Sequence, residues 1–240
     1  MKINEQIAPI AIIPARGGSK RIKNKNIKQF CGKPLIAYSI EAAIKSGVFG
    51  KVIVTTDDET IAKVAREYGA LVPFMRPDSL ADDFSTSGEA VNHAIEFLSS
   101  NAELGRFVCT IYATAPLLSL RPELLSQAFK RLKSSGGARQ VFSATSMNFP
   151  IWRSFSVDED SRCEMFFPEY FSTRSQDLVP AYGDAGQFYF DDLAAPAGEI
   201  GFSKDKLAFI LPRHMVCDID TIEDWQMAEV LYELNKKLNS

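Results

Sequence analysis

At 240 residues, 46% of them hydrophobic and 24% charged, the chain is long enough to bury one core, and its composition excludes a disordered or fibrous class. The formal net charge of −3 argues against a general nucleic-acid binder, so any anion site must be local. Cys31, Cys109, Cys163 and Cys217 are dispersed and form no CxxC pair, no apolar run approaches the roughly 18 residues of a membrane span, and no leader pattern opens the chain, so a cytoplasmic protein with reduced thiols and no membrane partner is expected.

Ile7 to Ala15 reads as a buried strand that stops at Pro14-Ala15-Arg16-Gly17-Gly18. Pro34 opens a helix running to about Ser46, where Gly47 ends it. Lys51 to Thr56 is rich in β-branched residues and reads as the next strand, with a helix from Glu59 to Tyr68 closed by Gly69. Ser87 to Ser99 is helical, Phe107 to Ala113 a strand, Pro122 to Ser134 helical and Gln140 to Thr145 a strand. From about Asn148 to Pro180 the rhythm breaks into an aromatic-rich stretch (Phe149, Trp152, Phe155, Phe166, Phe167, Tyr170, Phe171) that reads as an inserted hairpin, a lid or an interface arm. Gln187 to Phe190 and Lys206 to Leu211 read as strands, and Thr221-x-x-Asp224 has the form of a capping box opening a helix to about Leu238. Strand then helix, repeated, predicts a single α/β domain over 1–240: a mostly parallel sheet with helices on both faces and an inserted subdomain at about 148–186. In such sheets ligands bind beyond the carboxyl ends of the strands, where the loops after Ala15, Thr56 and Ala113 open.

From Gln6 to Ile40 there is no Asp or Glu, yet Arg16, Lys20, Arg21, Lys23, Lys25, Lys28 and Lys33 all fall in that window. Gly17-Gly18-Ser19 lets the backbone turn tightly and aim N–H groups at phosphate oxygens, a nest that the cations complement. Neither GxxxxGK[ST] nor GxGxxG is present, so this is neither a Walker A loop nor a dinucleotide fingerprint. A solvated basic surface with a Gly-Gly turn is the plain alternative; the position at the end of the first buried strand favours phosphate.

Asp218-Ile219-Asp220 is the second strong pattern. If it is extended, both carboxylates project to one side while Ile219 faces the core, and with phosphate oxygens they suit Mg²⁺. Alternatively, both aspartates merely precede the capping box at Thr221. Asp57 reads as a cap for the helix that follows it. His93 reads as structural or exposed, His214 carries no strong signal, and no Ser-His-Asp arrangement suggests covalent catalysis.

Ala11-Ile-Ile-Pro-Ala-Arg-Gly-Gly-Ser-Lys20, with Lys25-Asn26 soon after, resembles the signature of the acylneuraminate cytidylyltransferases, which activate nine-carbon 2-keto sugar acids. The resemblance covers nearly the whole chain, with its motifs in order. It implies a Rossmann-like nucleotidyltransferase fold with a small dimerisation arm, and a homodimer in which one subunit reaches into its partner's sugar site. It assigns Ala15, Arg16, Gly17, Gly18, Ser19, Lys20, Lys25 and Asn26 to the triphosphate of CTP. Asp218-Ile-Asp-Thr-Ile-Glu-Asp224 resembles the family's metal segment, which implies Mg²⁺ on Asp218 and Asp220. Arg76-Pro77-Asp-Ser-Leu80-Ala81 is similar to a segment whose arginine helps hold the base, and Asp57 matches a strand end beside the nucleotide. Thr86 and Ser87 either add hydroxyl contacts to the nucleotide or cap the next helix.

Tyr112-Ala113-Thr114-Ala115-Pro116-Leu117 departs from the Gln-Pro-Thr-Ser-Pro of sialic acid enzymes and resembles the pseudaminic acid branch. So do Glu169-Tyr-Phe-Ser-Thr-Arg-Ser-Gln-Asp-Leu178 and Asp184-Ala-Gly-Gln-Phe-Tyr189, although Ser172 replaces a more usual Asn and Phe190 a more usual Trp. On this resemblance Asp57, Tyr112, Thr114, Arg174, Ser175, Gln176 and Gln187 are the substrate candidates. A guanidinium at 174 suits a carboxylate, and Gln187 an acylamino or hydroxyl group. The implied reaction is attack by the anomeric hydroxyl of pseudaminic acid on the α-phosphorus of CTP, giving CMP-pseudaminic acid and pyrophosphate, with Lys20, Lys25, Asp218 and Asp220 as catalytic residues. The alternatives are the same reaction on N-acetylneuraminic or legionaminic acid, a nucleotide-binding regulator without chemistry, and a phosphatase-like hydrolase. The paired aspartates count against the regulator, and the lack of a nucleophile motif against the hydrolase.

Overall fold

The structure is a computed structural model that describes residues 3–82, 85–196, 198 and 201–238. Its elements are, in order, β1 (Ile10–Pro14), β2 (Gln29–Phe30), β3 (Lys33–Pro34), α1 (Leu35–Lys45), β4 (Lys51–Thr55), α2 (Glu59–Glu67), α3 (Ser87–Ser100) and β5 (Phe107–Ile111). There follow α4 (Glu123–Lys133), β6 (Gln140–Ser146), β7 (Phe155–Val157), β8 (Cys163–Met165), β9 (Tyr182–Asp192), β10 (Lys206–Leu211) and α5 (Ile222–Leu238).

The main sheet has the order β10-β6-β9-β5-β1-β4. Every pairing in it is parallel except those of β9, which runs antiparallel to both β5 and β6. Burial on both faces explains why β1 is apolar throughout rather than alternating. Ile10 and Ile12 pack with Ala94 and Leu98 of α3 on one face, while Ala11 and Ile13 join Ile36 and Ile40 of α1 on the other. These four residues of β1 are fully buried, and each isoleucine contributes about 1.5–3 kcal/mol by leaving water. Gly47 (φ 67°) and Gly69 (φ 94°) follow α1 and α2 in the left-handed region, as helix-ending glycines do.

The sequence predicts a strand only at Gln187 to Phe190, whereas β9 extends over Tyr182–Asp192 and reverses direction. Its reversal follows from connectivity. β6 delivers the chain to the carboxyl edge of the sheet, the inserted arm begins there, and the chain re-enters from that same edge. The arm itself contains the two-stranded β7–β8 hairpin and short 3₁₀ turns at Ile151–Arg153, Pro168–Tyr170 and Ser175–Asp177. Its ring packing is local, with Trp152 meeting Phe167 and Tyr170 at 5.3 and 5.2 Å.

A third apolar cluster joins Ile22, Phe30, Leu35 and Tyr38 to Ile219, Trp225 and Ala228, so α5 clamps the N-terminal loop region from below. The expected capping box opens α5: the Asp224 carboxylate accepts from the Thr221 N–H (2.7 Å), and the Thr221 hydroxyl accepts from the Asp224 N–H (3.2 Å). Among the described residues, no helix is long and apolar enough to cross a membrane.

Candidate active site

Where β1, β4 and β5 end and β9 begins, the sheet opens into a cleft of about 610 Å³. Arg16, Ser19, Lys20, Lys25, Asn26, Arg76, Thr86, Ser87, Tyr112, Thr114, Asp218 and Asp220 all line it, so residues spread over two hundred positions converge. Ala15, Gly17, Gly18, Asp57, Arg174, Ser175, Gln176 and Gln187 lie outside the described wall. Ser85, Asp184, Gly186 and Tyr189 belong to the wall although sequence reasoning gave none of them a contact, and Arg21, one of the loop cations, joins them.

The basic loop is held in shape by its own backbone. Ala15 N–H donates to the Thr55 carbonyl (3.0 Å), Gly17 N–H to Asp57 Oδ1 (3.0 Å), and Ser19 N–H to the Gly17 carbonyl (2.9 Å). Two amides of the expected nest are therefore engaged within the protein. The side chains of Arg16, Lys20, Arg21 and Lys25 line the cleft and give it its positive charge. Gly17 is needed for close approach rather than for a left-handed turn, since a Cβ there would stand 2.8 Å from Asp58 Oδ2. Asn26 donates from Nδ2 to the Arg16 carbonyl (2.9 Å) and so braces the loop from beneath. The cap of α2 is Asp58, not Asp57: Asp58 Oδ1 accepts from Thr60 N–H (2.6 Å) and Ile61 N–H (3.1 Å), because Asp57 turns back to Gly17.

Asp218 and Asp220 face the cleft while Ile219 between them is fully buried, as strand-like alternation requires. Asp220 is gripped from the loop, with Arg21 Nη2 at 2.9 Å and Lys25 Nζ at 3.2 Å, and Lys25 also donates to the Ile219 carbonyl (2.6 Å). The capping box and the paired carboxylates thus coexist, and one does not replace the other. Burial, then the Asp220 charge, push Asp218 above the usual carboxylate range, while Lys25 and Arg21 pull it back. Because Asp218 is open to water in the cleft, solvent screens the size of that effect.

Arg76 is 7% exposed, and donates from Nη2 to the Thr55 carbonyl (2.5 Å), which fixes its guanidinium at the end of β4. Burial lowers its pKa, Asp57 opposes that, and Arg16 adds to it. Thr86 does cap α3, in a full capping box with Glu89, and it also lines the cleft with Ser87. The positive end of a fourteen-residue helix dipole therefore faces the same space as the cations.

On the far side, β9 bulges. Phe142 pairs with Tyr189 but Ala144 pairs with Asp184, so the stretch between them has lost its ladder partners on β6 while Phe188 keeps its pairing with Ile111 of β5. Ser143, fully buried, offers its hydroxyl oxygen to the N–H groups of both Gln187 (3.0 Å) and Phe188 (3.1 Å). The Gln187 side chain turns inward at 1% exposure and donates to the Ala185 carbonyl (2.7 Å), so it braces the bulge. Asp184 and Tyr189 instead reach the cleft, with the Tyr189 hydroxyl donating to Asp184 Oδ2 (2.6 Å). Burial first, then that hydrogen bond, push the Tyr189 phenol up. Arg174 sits out on the arm, largely exposed and paired with Asp177 (2.7 Å), with Ser175 and Gln176 beside it.

Comparison with known proteins shows the family to which the chain belongs. A family model described as cytidylyltransferase matches residues 10–153. The chain is 46% identical over 227 residues to a pseudaminic acid cytidylyltransferase of Campylobacter jejuni, covering 94% of this chain and 97% of that protein. It is 33% identical over 238 residues to the CMP-N,N'-diacetyllegionaminic acid synthase of Legionella pneumophila, covering 95% and 97%. Among solved structures, a CMP:2-keto-3-deoxy-manno-octonic acid synthetase superposes with a TM-score of 0.68 at 14% identity, covering 95% of this chain and 99% of that one, which shows the shared fold.

Proposed function

Because the chain belongs to the cytidylyltransferase family, we propose that it joins CTP to pseudaminic acid, giving CMP-pseudaminic acid and pyrophosphate. The observation that carries this reading is the convergence of loop cations, the Asp218–Asp220 pair and the β9 wall on one cleft. The anomeric hydroxyl oxygen attacks the α-phosphorus, the bond to the pyrophosphate oxygen breaks, and the hydroxyl proton is released. Catalysis is then positioning plus neutralisation of phosphate charge, with little covalent work for the protein. Arg16, Lys20 and Lys25 meet the triphosphate; Arg76, with Thr86 and Ser87 at the α3 N-terminus, serves the rest of the nucleotide.

Mg²⁺ fits the two aspartates. Burial first, and then the Asp220 charge, raise the Asp218 pKa, and a bound cation would relieve that repulsion. Among the described residues no group of three or more His, Cys, Asp or Glu side chains is placed to hold a metal, so phosphate oxygens and water would complete the shell, as Mg²⁺ prefers. Bound there, the ion would neutralise charge on the phosphates and make the hydroxyl more acidic. Before that, Lys25 and Arg21 hold Asp220 in place.

The exposed aromatics of the arm support a homodimer in which Arg174, Ser175 and Gln176 serve the partner's sugar site, since they stand outside the wall of their own. The described cysteines are all unpaired, in keeping with a cytoplasmic enzyme. A second reading, legionaminic acid as acceptor, is favoured by the Legionella relative. Pyrophosphate release from CTP and Mg²⁺ with a panel of nine-carbon sugar acids separates the two. Release with no such acid sinks the enzyme assignment; preference for legionaminate or N-acetylneuraminate sinks the pseudaminate one.

A further inference from the structure

We propose that Asp184 is the residue that selects the acceptor sugar acid, by accepting a hydrogen bond from one of its donor groups. This rests on the cytidylyl-transfer reading above and deepens it. The two sides of the cleft differ in charge. Arg16, Lys20, Arg21, Lys25 and Arg76 gather along the β1 and β4 side, which suits the nucleotide, while β9 contributes a carboxylate. A carboxylate can only accept hydrogen bonds, and it repels phosphate and the acid group of a sugar acid alike. At that wall it favours the uncharged, donor-bearing end of the acceptor, an acylamino N–H or a hydroxyl.

Asp184 is also preorganised. The bulge of β9 carries it into the cleft beside Gly186, whose φ of 58° glycine tolerates without strain. Gly186 N–H donates to Asp184 Oδ1 (2.9 Å) and the Tyr189 hydroxyl to Oδ2 (2.6 Å), leaving each oxygen a lone pair for a ligand. Tyr189 is itself steadied edge-on against Tyr112 at 5.9 Å. The Gly186 contact is an Asx turn, and with the Tyr189 hydroxyl it holds the carboxylate on the same cleft as Asp218. Gln187, which the sequence offers for this contact, spends its amide inside the bulge.

The test is steady-state kinetics of Asp184→Asn and Tyr189→Phe with saturating CTP and Mg²⁺, the acceptor varied, then the reverse. Asn removes the charge and replaces one of the two accepting oxygens with an NH2 donor, so acceptor KM should rise about tenfold, with kcat and CTP KM within about twofold. Tyr189→Phe loosens the clamp and should raise acceptor KM about threefold. The assay is run on an N-acylated sugar acid and on its analogue with hydrogens in place of the acylamino groups. A penalty on the N-acylated acid alone assigns the donor to the amide, and a penalty on both assigns it to a hydroxyl. An unchanged acceptor KM, or equal rises for acceptor and CTP in a variant of normal melting temperature, overturns the proposal. If Asp184→Asn does not fold, the Tyr189→Phe acceptor KM decides alone. Activity of the unaltered protein on any acid tests the reaction separately.

Discussion

The cleft and the arm place their hydrophobic residues in opposite ways. Around the cleft, apolar side chains lie beneath the charged wall and are fully buried, as Ile13, Ile219 and Phe188 are. In the arm they point outward, with Phe149 82% and Phe171 73% exposed, and Phe155, Val157 and Phe166 more than half exposed. A two-stranded hairpin of three-residue strands cannot bury such a surface by itself. The cleft is thus underlain by the chain's own sheet, whereas the arm leaves its apolar surface uncovered within the single chain.

Four experiments can break or sharpen that contrast. Asp220→Asn should have the largest effect, lowering turnover by about a hundredfold or more while the melting temperature stays near that of the unaltered protein. Near-normal turnover at saturating Mg²⁺ would remove Asp220 from the metal site. Next, Phe149→Asp with Phe171→Asp should convert a dimer to a monomer in sedimentation and cut turnover about tenfold, with CTP KM unchanged. An unaltered protein that is already monomeric ends the interface reading.

Gly17→Ala comes third, because its Cβ meets Asp58, the cap of α2. A cost of about 1–2 kcal/mol, seen as a melting shift of roughly 2–5 °C, should accompany a severalfold rise in CTP KM. Unaltered melting and KM would show that the loop gives way freely. The smallest effect belongs to Asp218→Asn assayed for stability alone. The folded protein raises the Asp218 pKa, so the charged form opposes folding: this carboxyl favours the fold below its ordinary pKa and loses that contribution as pH rises through its folded value. The variant should therefore melt about 1–2 °C higher near neutral pH, with the gain vanishing below about pH 4. A gain that grows on acidification contradicts the sign.

Much of the cleft was legible because its parts sit at ends of strongly patterned strands. The β-branched run of β4, the apolar β1 and the Asp-Ile-Asp alternation each constrain a direction, and Ile219 is buried as that alternation demands. What alternation cannot show is where it stops. The irregularity between Phe142 and Ala144 changes which residues of β9 face the cleft, so Gln187 goes inward while Asp184 goes outward. Arg21 was one cation among many in its loop, and only the folded chain brings it to Asp220. Asp57 and Asp58 are adjacent and chemically identical, so the choice of cap between them depends on Gly17, forty residues earlier.

The bulged strand has a consequence for inheritance. Residues 147–192 leave the sheet at the end of β6 and return as β9, so the arm and the acceptor wall form one uninterrupted stretch, while the cations lie on segments scattered from Arg16 to Arg76. An exchange of that single cassette between relatives, with Ser143 kept to hold its seam, would carry a new choice of sugar acid onto an untouched nucleotide site.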